Sequence, residues 1–549
     1  MTKRIDTPVL IIGGGPVGLS CALELAWRGI ECVLVERSDG VVRYSKMGGV
    51  AIRTMEICRR WGIAQRVRDC GFPEDYPLNM VFCTSLAGHL LKTLPYPSMG
   101  EEPVPPESPE RRQRCPQLWF DPVLAAAARD CGHVDLRYQC ELESLTQKGG
   151  AVLGVAKDLQ SGERVEIRAQ YAIACDGAGS GIRRSLGIEF EGEVLSYSTG
   201  IYFRSPGLVR RHDKGPAERY MLIGPEGVWS NLTVVDGDAY WRLTVTGPRD
   251  RVEDADFDAV AAVKRCLGDD AIPFEIDAVM PWRRSRLVAQ RYSEGRIFLA
   301  GDAAHVTAPN GGYGMNTGIA DAMDICWKLD AALGGWGGDA LFASYDAERR
   351  PVGWRAVNAA AANFANFAPS FDFSRVTEDS PAGEAKRRAL GEAFDRGTRG
   401  EWETLGVVLG YRYNPSPIVV ADGSPATPDD PIKYLPTSRP GHRAPHAWLP
   451  DGRSTLDLFG RGFVLLRFGS AVSNAVPDTA SITNAARQCG LPLSVVDIDD
   501  AAIARLYERK LVLVRPDGHT AWRGDLLPAN PVALIDAVRG AGPAAAGAA

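Results

Sequence analysis

Two glycine-rich clusters hold the residues whose types and spacing could do chemistry. The first is Gly301-Asp302-Ala303-Ala304-His305, followed after a short gap by Pro309-Asn310-Gly311-Gly312-Tyr313-Gly314-Met315-Asn316-Thr317-Gly318. An apolar run at 297–300 reads as a strand feeding the Gly-Asp turn. The glycine-rich loop then feeds a helix whose Ile319, Met323, Cys326 and Trp327 share one face. Such a loop can set backbone N–H groups and a helix N-terminus against an electron-rich ligand, while one carboxylate accepts hydrogen bonds from the ligand's hydroxyls. The second cluster, Gly13-Gly14-Gly15-Pro16-Val17-Gly18, satisfies G-x-G-x-x-G, a weak pattern alone because glycine-rich turns are common. Its context strengthens it: a strand at 9–12 precedes, a helix at 17–29 follows, and Glu36 closes a second strand at 32–35, where a carboxylate can accept from ribose hydroxyls. Gly13 allows the tight turn, Gly15 lets the backbone approach a pyrophosphate, and Gly18 lets helix and strand touch. Glu36 stands where a 2′-phosphate would lie, which favours FAD or NAD over NADP at this site. Together the two clusters point to a flavin.

The elements that must position these residues read as α/β. Residues 9–36 form a βαβ unit, 53–70 are patterned as a helix, and another helix begins at 120. Residues 191–281 are richer in strand patterns, at 200–203, 220–223, 228–235 and 240–246, as expected of a β-rich domain inserted into a nucleotide-binding one. Helical patterning returns from 321 to 367, whereas 371–440, rich in Pro, Gly and charge, reads as a connecting and wrapping segment. Residues 441–540 alternate strands and helices as a small α/β unit, and the Ala-Gly tail at 541–549 is expected to be disordered. The flavin-binding domain is therefore discontinuous, at 1–190 and 282–370, around the 191–281 substrate domain.

Bulk properties narrow the partners. A chain of 549 residues needs two or three domains, and its formal charge of −6 argues against nucleic acid or an anionic membrane surface. The apolar run at 9–12 is interrupted by glycines, so it is neither a signal peptide nor a membrane span. The twelve cysteines include no C-x-x-C pair, which suits reduced thiols in a cytoplasmic protein and offers no metal site.

The chain resembles the FAD-dependent aromatic hydroxylases, the single-component flavoprotein monooxygenases that include p-hydroxybenzoate hydroxylase and phenol hydroxylase. The resemblance rests on Gly13 to Gly18 with Glu36, on Asp176-Gly177, and on Gly301-Asp302 with Pro309 to Gly318. It continues through Gly410-Tyr411-Arg412-Tyr413 and Arg439-Pro440-Gly441 into a C-terminal unit similar to the thioredoxin-like domain of phenol hydroxylase. It implies a Rossmann-type FAD domain and a homodimer, with FAD tightly held and NADPH or NADH as a transient donor. O2 would then hydroxylate a small phenolic or aromatic substrate through a flavin C4a-hydroperoxide. Carried over by residue, it gives Asp302 the ribityl hydroxyls, places the N–H groups of Met315 and Asn316 near the flavin N1–C2=O edge, and sets Gln117 against the ribityl chain. Asp176-Gly177 would support FAD and the donor. Arg37 and Arg53 join the cofactor-binding set, although an exposed helix arginine would look the same as Arg53. Pro309, Gly314, Met315 and Asn316 would form the oxygenating site, since Pro309 has no N–H to donate and leaves a dry, donor-poor wall. His305 invites a catalytic reading, yet the resemblance makes it a structural neighbour of the flavin.

One departure leaves the catalytic base open. Relatives often carry Asp, His or Arg where Lys46-Met47-Gly48-Gly49-Val50 has Gly48, so this chain is expected to be open there and to activate its substrate otherwise. A Baeyer–Villiger oxygenase on a polycyclic aromatic substrate, a flavin dehydrogenase and a non-catalytic flavin-binding protein remain alternatives. In the C-terminal unit the single Cys489 excludes dithiol chemistry.

Overall fold

Val9, Leu10 and Ile11 have no solvent exposure because the strand that contains them, Lys3–Ile12, lies in the middle of a parallel sheet. Burying each such side chain contributes about 1.5–3 kcal/mol. In the computed structural model, residues 3–248, 257–366, 371–469 and 477–542 are described. The expected disordered tail lies outside them from residue 543 onward.

Lys3–Ile12 pairs in parallel with Cys32–Val35 on one side and Arg164–Ala174 on the other, and Arg164–Ala174 pairs in parallel with Ile297–Leu299. The register sets Ile12 beside Ala174 and Ala174 beside Leu299. The turns at Gly13, Cys175-Asp176 and Gly301-Asp302 therefore leave one carboxyl edge of the sheet, where ligands of open α/β sheets bind. Two helices close on that edge: Pro16–Trp27, which packs on Gln117–Asp130, and Tyr313–Leu333.

The second sheet has eight strands and carries the region expected to be β-rich. Its central strands, Phe190–Arg204, Tyr240–Thr246, Gly227–Val234 and Arg219–Gly224, are antiparallel neighbours. It also takes in the hairpin Met80–Cys83 and Leu90–Leu94 and the long strand Glu275–Ala289, so it draws on chain from outside 191–281. His305–Val306 joins it immediately after the Asp302 turn, which ties the two sheets together.

Two elements differ from their sequence patterns. The helix expected over 53–70 is split into Ile52–Arg60 and Ala64–Arg68 around Gly62, whose φ of 75° breaks the helical run. The wrapping segment contains a 17-residue helix, Pro381–Gly397, started by Pro381 after the Ser380 cap. Its Leu390 and Phe394 pack against Phe82 and Leu91 of the added hairpin, and Gly391 passes under the Leu91 carbonyl.

The C-terminal unit is a four-stranded sheet in the order Leu493–Ile498, Phe463–Phe468, Leu511–Val514, Thr520–Gly524, with Ala480–Gln488, Ala501–Tyr507 and Pro531–Val538 as helices. It shares an apolar core with the first unit: Phe463 meets the stacked Trp327 and Trp336 edge-on.

Candidate active site

Between the two sheets lies a cavity of about 1450 Å³. Its floor comes from the carboxyl edge of the parallel sheet. Gly13 holds φ 104° and donates to the Val35 carbonyl at 2.9 Å, and a Cβ there would stand 2.3 Å from the Cys175 oxygen. A Cβ on Gly18 would fall 1.9 Å from the Gly13 oxygen, so helix and strand touch there as the spacing requires. At Gly15, which lines the cavity, a Cβ would meet nothing within 4 Å, so the backbone is bare toward the space above. Glu36 binds the fingerprint loop from below, accepting from the Gly14 N–H at 2.6 Å and the Ser38 N–H at 2.7 Å. Arg37 is exposed beside it.

Asp302 lines the cavity and has no hydrogen-bond partner among the described residues. Its side chain is exposed, and desolvation by the surrounding protein raises its carboxyl above the ordinary aspartate value against the opposing pull of His305 and Lys46. The turn that presents it is fixed from behind. Asp321, fully buried on Tyr313–Leu333, accepts from the Gly301 N–H at 3.1 Å, pairs with His305 at 2.8 Å and with Arg349 at 2.8 Å. Burial would raise Asp321, but Arg349 and His305 outweigh it and hold the carboxyl below its usual range. His305 is therefore a buried support of the turn.

The helix Tyr313–Leu333 begins after Gly312, so the N–H groups of Gly314 and Met315 have no acceptor one turn back, and both residues line the cavity. Asn316 works differently from expectation. Its backbone stands where the helical ladder begins, and its side chain ties the helix to the opposite loop: Oδ1 accepts from Ala51 N–H at 2.9 Å and Thr54 Oγ1 at 2.7 Å. Pro309 faces the cavity and accepts from Gly312 N–H at 3.0 Å. Gln117 also lines it, with Nε2 donating to Asp121 at 2.9 Å; burial pushes Asp121 up to about 7. Gly177 lines the cavity, while Asp176 sits behind it and accepts from Ile182 N–H at 3.3 Å.

Arg53 does not face the cavity. Its guanidinium donates to Glu56 at 2.9 Å and to the Asp517 carbonyl at 2.7 Å, because the C-terminal unit docks against its helix. Gly48 is not open either: a Cβ there would lie 2.1 Å from Arg114 Nη1 and 2.5 Å from Arg114 Cζ. The sequence reading missed Arg114, although it stands three residues before Gln117, since no spacing rule links it to Gly48.

The roof of the cavity is the face of the antiparallel sheet. Thr233 pairs with Arg242 and Asn231 with Thr244, so these four side chains share one face by the two-residue period and line the space. Arg242 donates to the Lys46 carbonyl at 2.9 Å, and the Tyr202 hydroxyl donates to the Ser45 carbonyl at 3.1 Å, which pins the loop carrying Gly48.

The partnerless Asp302, the bare Gly15 backbone and the free N–H groups at Gly314 and Met315 are what a flavin dinucleotide's ribityl hydroxyls, pyrophosphate and ring carbonyl need. A family model described as FAD binding domain matches residues 6–360, and one described as aromatic-ring hydroxylase, C-terminal, matches residues 437–541. The chain belongs to the FAD-dependent aromatic-ring hydroxylases. As a member of that family it is a flavin monooxygenase with FAD as cofactor. The hydroxylase is 34% identical to 4-methyl-5-nitrocatechol 5-monooxygenase of Burkholderia sp, over 97% of each chain. It is 33% identical to the FAD-dependent monooxygenase apdD of Emericella nidulans, over 94% of this chain and 87% of that one. Among solved structures it superposes with a TM-score of 0.90 on the rebeccamycin biosynthetic enzyme RebC with reduced flavin, at 39% identity over 98% of this chain and 100% of that one. Aklavinone-11 hydroxylase in complex with FAD and aklavinone matches with a TM-score of 0.81, at 29% identity over 97% and 99%. Among the described residues no helix is long and apolar enough to cross a membrane.

Proposed function

We propose that the enzyme hydroxylates a phenolic or aromatic small molecule, with NADPH or NADH as transient electron donor and O2 as co-substrate. The observation that carries this reading is a shared cavity, in which Asp302 and the Tyr313–Leu333 N-terminus on the floor face the polar sheet residues on the roof. One space thus has room for a flavin and a substrate in contact. FAD, once bound and reduced, supplies the electrons that activate O2 for transfer of one oxygen atom.

The residues of the chain divide the remaining work. Gly13, Gly15 and Gly18 with Glu36 and Arg37 hold the dinucleotide end, and Asp302 and Gln117 take the ribityl chain. The Gly314 and Met315 N–H groups stabilise negative charge on the reduced ring by about 0.3–1 kcal/mol each, more where water is excluded. Asp176-Gly177 supports the floor from the neighbouring strand, Asn316 fixes the helix start, and Pro309 keeps the reacting space poor in donors. We assign 1–190 and 282–370 to the FAD domain, 191–281 to the substrate domain, 371–440 to the connecting segment and 441–540 to a thioredoxin-like domain. The twelve unbridged cysteines support a reducing, cytoplasmic location, and the expected assembly is a homodimer.

Single-turnover reaction of the reduced holoenzyme under ^18O2 tests the reaction type. One ^18O atom in a ring hydroxyl is the expected product. A lactone or ester would show a Baeyer–Villiger oxygenase, and unlabelled product would show a dehydrogenase.

A further inference from the structure

We propose that Arg114 and Glu218 hold and deprotonate the substrate's phenolic hydroxyl, and that Gly48 is the glycine that admits the Arg114 guanidinium. This assignment rests on the aromatic-substrate reading above. At Gly48 the chain is backbone only, and the space a Cβ would fill is taken by a guanidinium arriving from Gln113–Arg114, the strand paired with Gly49–Val50. The charge beside this glycine is thus supplied from the neighbouring strand.

Arg114 lines the cavity and is 6% exposed. Its Nη1 donates to Glu218 Oε1 at 2.7 Å and its Nη2 to the Val234 carbonyl at 2.6 Å, while Nε is buried without a partner. Glu218 also lines the cavity, and the pair to Arg114 leaves its Oε2 for another donor. The neighbouring cations are already committed: Arg219 to Glu401 at 2.7 Å, and Arg242 to the Ser45 and Lys46 carbonyls. Tyr76, behind the pair, donates its hydroxyl to the Ala217 carbonyl at 3.2 Å. Burial pulls the guanidinium below its ordinary value, with Glu218 opposing, so a further anion beside it is favoured.

In the step proposed, the phenolic O–H bond breaks and its proton passes through Glu218 Oε2 to solvent water, so that Glu218 is again a carboxylate paired with Arg114 when the phenolate stands beside them. The electron pair stays on the phenolic oxygen and enriches the ring carbons that accept the new oxygen atom. Arg114 keeps all its protons and neutralises the phenolate, its planar fork serving carboxylate and phenolate side by side. Gly48 is required because any side chain there would displace the fork.

The test is the ionisation of a bound probe, read without turnover. 6-Fluoro-2-naphthol is titrated with pH by ^19F NMR in the oxidised FAD holoenzyme, with Glu218, Arg219, Arg242 and Tyr76 as the other titratable or charged groups facing Arg114. In wild type the bound probe should ionise about one pH unit or more below the free probe. Arg114→Met should return its midpoint to the free value or above, and Arg114→Lys should retain part of the shift. Glu218→Gln should lower the midpoint further, since a competing anion is gone. Gly48→Ala, which keeps Arg114 in the chain but displaces its guanidinium, should lose the shift and decides the matter if Arg114→Met does not fold. A bound probe with an unshifted midpoint in wild type, or a shift that survives both Arg114→Met and Gly48→Ala, overturns this assignment alone. A wild-type holoenzyme that does not bind the probe overturns the aromatic-substrate reading and this assignment with it.

Discussion

Asp302 shows how one side chain carries a testable consequence. It faces the cavity with no protein partner, so a ribityl hydroxyl would be its hydrogen-bond donor and the carboxylate is the form that accepts. Asp302→Ala should weaken FAD binding by about 1.5–3 kcal/mol, measured as the dissociation constant of the reconstituted flavin. The wild-type protein should be yellow with one noncovalent FAD per chain. Because desolvation raises this carboxyl, FAD affinity should be complete at alkaline and neutral pH. It should fall on acidification, starting at a higher pH than an ordinary aspartate would allow. An affinity independent of pH down to the ordinary aspartate range would contradict the role. Cys489 makes the opposite point. Half-buried, with its thiol 3.7 Å from Asp536 and pushed upward by burial, it lacks a second cysteine nearby, and Cys489→Ser should leave FAD content and turnover unchanged.

At the scale of elements, the site depends on two helices that meet within their N-terminal turns. Pro16–Trp27 and Tyr313–Leu333 converge because Gly318 passes the first helix and the Gly301 turn at closest approach. A Cβ on Gly318 would stand 2.6 Å from Val17 Cγ2 and 2.9 Å from the Gly301 Cα. Gly318→Ala should therefore separate the helices and cost about 1–3 kcal/mol by overpacking, read as a lower melting temperature together with a lower FAD content. An unchanged melting temperature and flavin occupancy would show that the helices can shift freely. The βαβ unit was legible because its periodicity, glycines and closing acid lie within one short stretch. The helix Pro381–Gly397 was not, because its buried face is narrow, Leu390 and Phe394 with Arg387, and its partner is the distant hairpin Met80–Leu94.

The whole molecule is held by ions buried between the first unit and the C-terminal one. Arg515 reaches Asp324 at 3.0 Å and Glu348 at 2.5 Å, and Lys328 binds the same two carboxylates, all without solvent exposure. Arg443 pairs with Glu56, which also takes the Ser108 hydroxyl at 2.7 Å. Arg443→Met would leave Glu56 buried without its main partner and should destabilise the protein by about 3–5 kcal/mol in chemical denaturation. Burial would raise Glu56, but Arg443 and Arg53 outweigh it and hold the carboxyl below its ordinary value. Its contribution is then complete above the usual glutamate range and is lost as pH falls through the lowered folded value, so acid should loosen the C-terminal unit. Hydrogen exchange in residues 441–540 that did not rise on acidification would count against this. Arg53 is drawn into the same interface through the Asp517 carbonyl. Substrate should accelerate flavin reduction in stopped-flow, and reduction without it should yield mainly H2O2, since a cavity of this size excludes water only when filled.

The sequence by itself determined the local geometry of the candidate cofactor site, because its glycines and carboxylates act through local backbone: a turn, a helix start, a strand end. It also determined the α/β class, since each strand and helix of the parallel sheet carries its own period. Only the tertiary structure decided which charge stands at Gly48, since Arg114 reaches that glycine from another strand. Tertiary docking likewise drew Arg53 away from the cavity, through a contact 464 residues away in the chain. Such pairings leave no periodicity or spacing to read, because they exist only once the sheets and the C-terminal unit have packed.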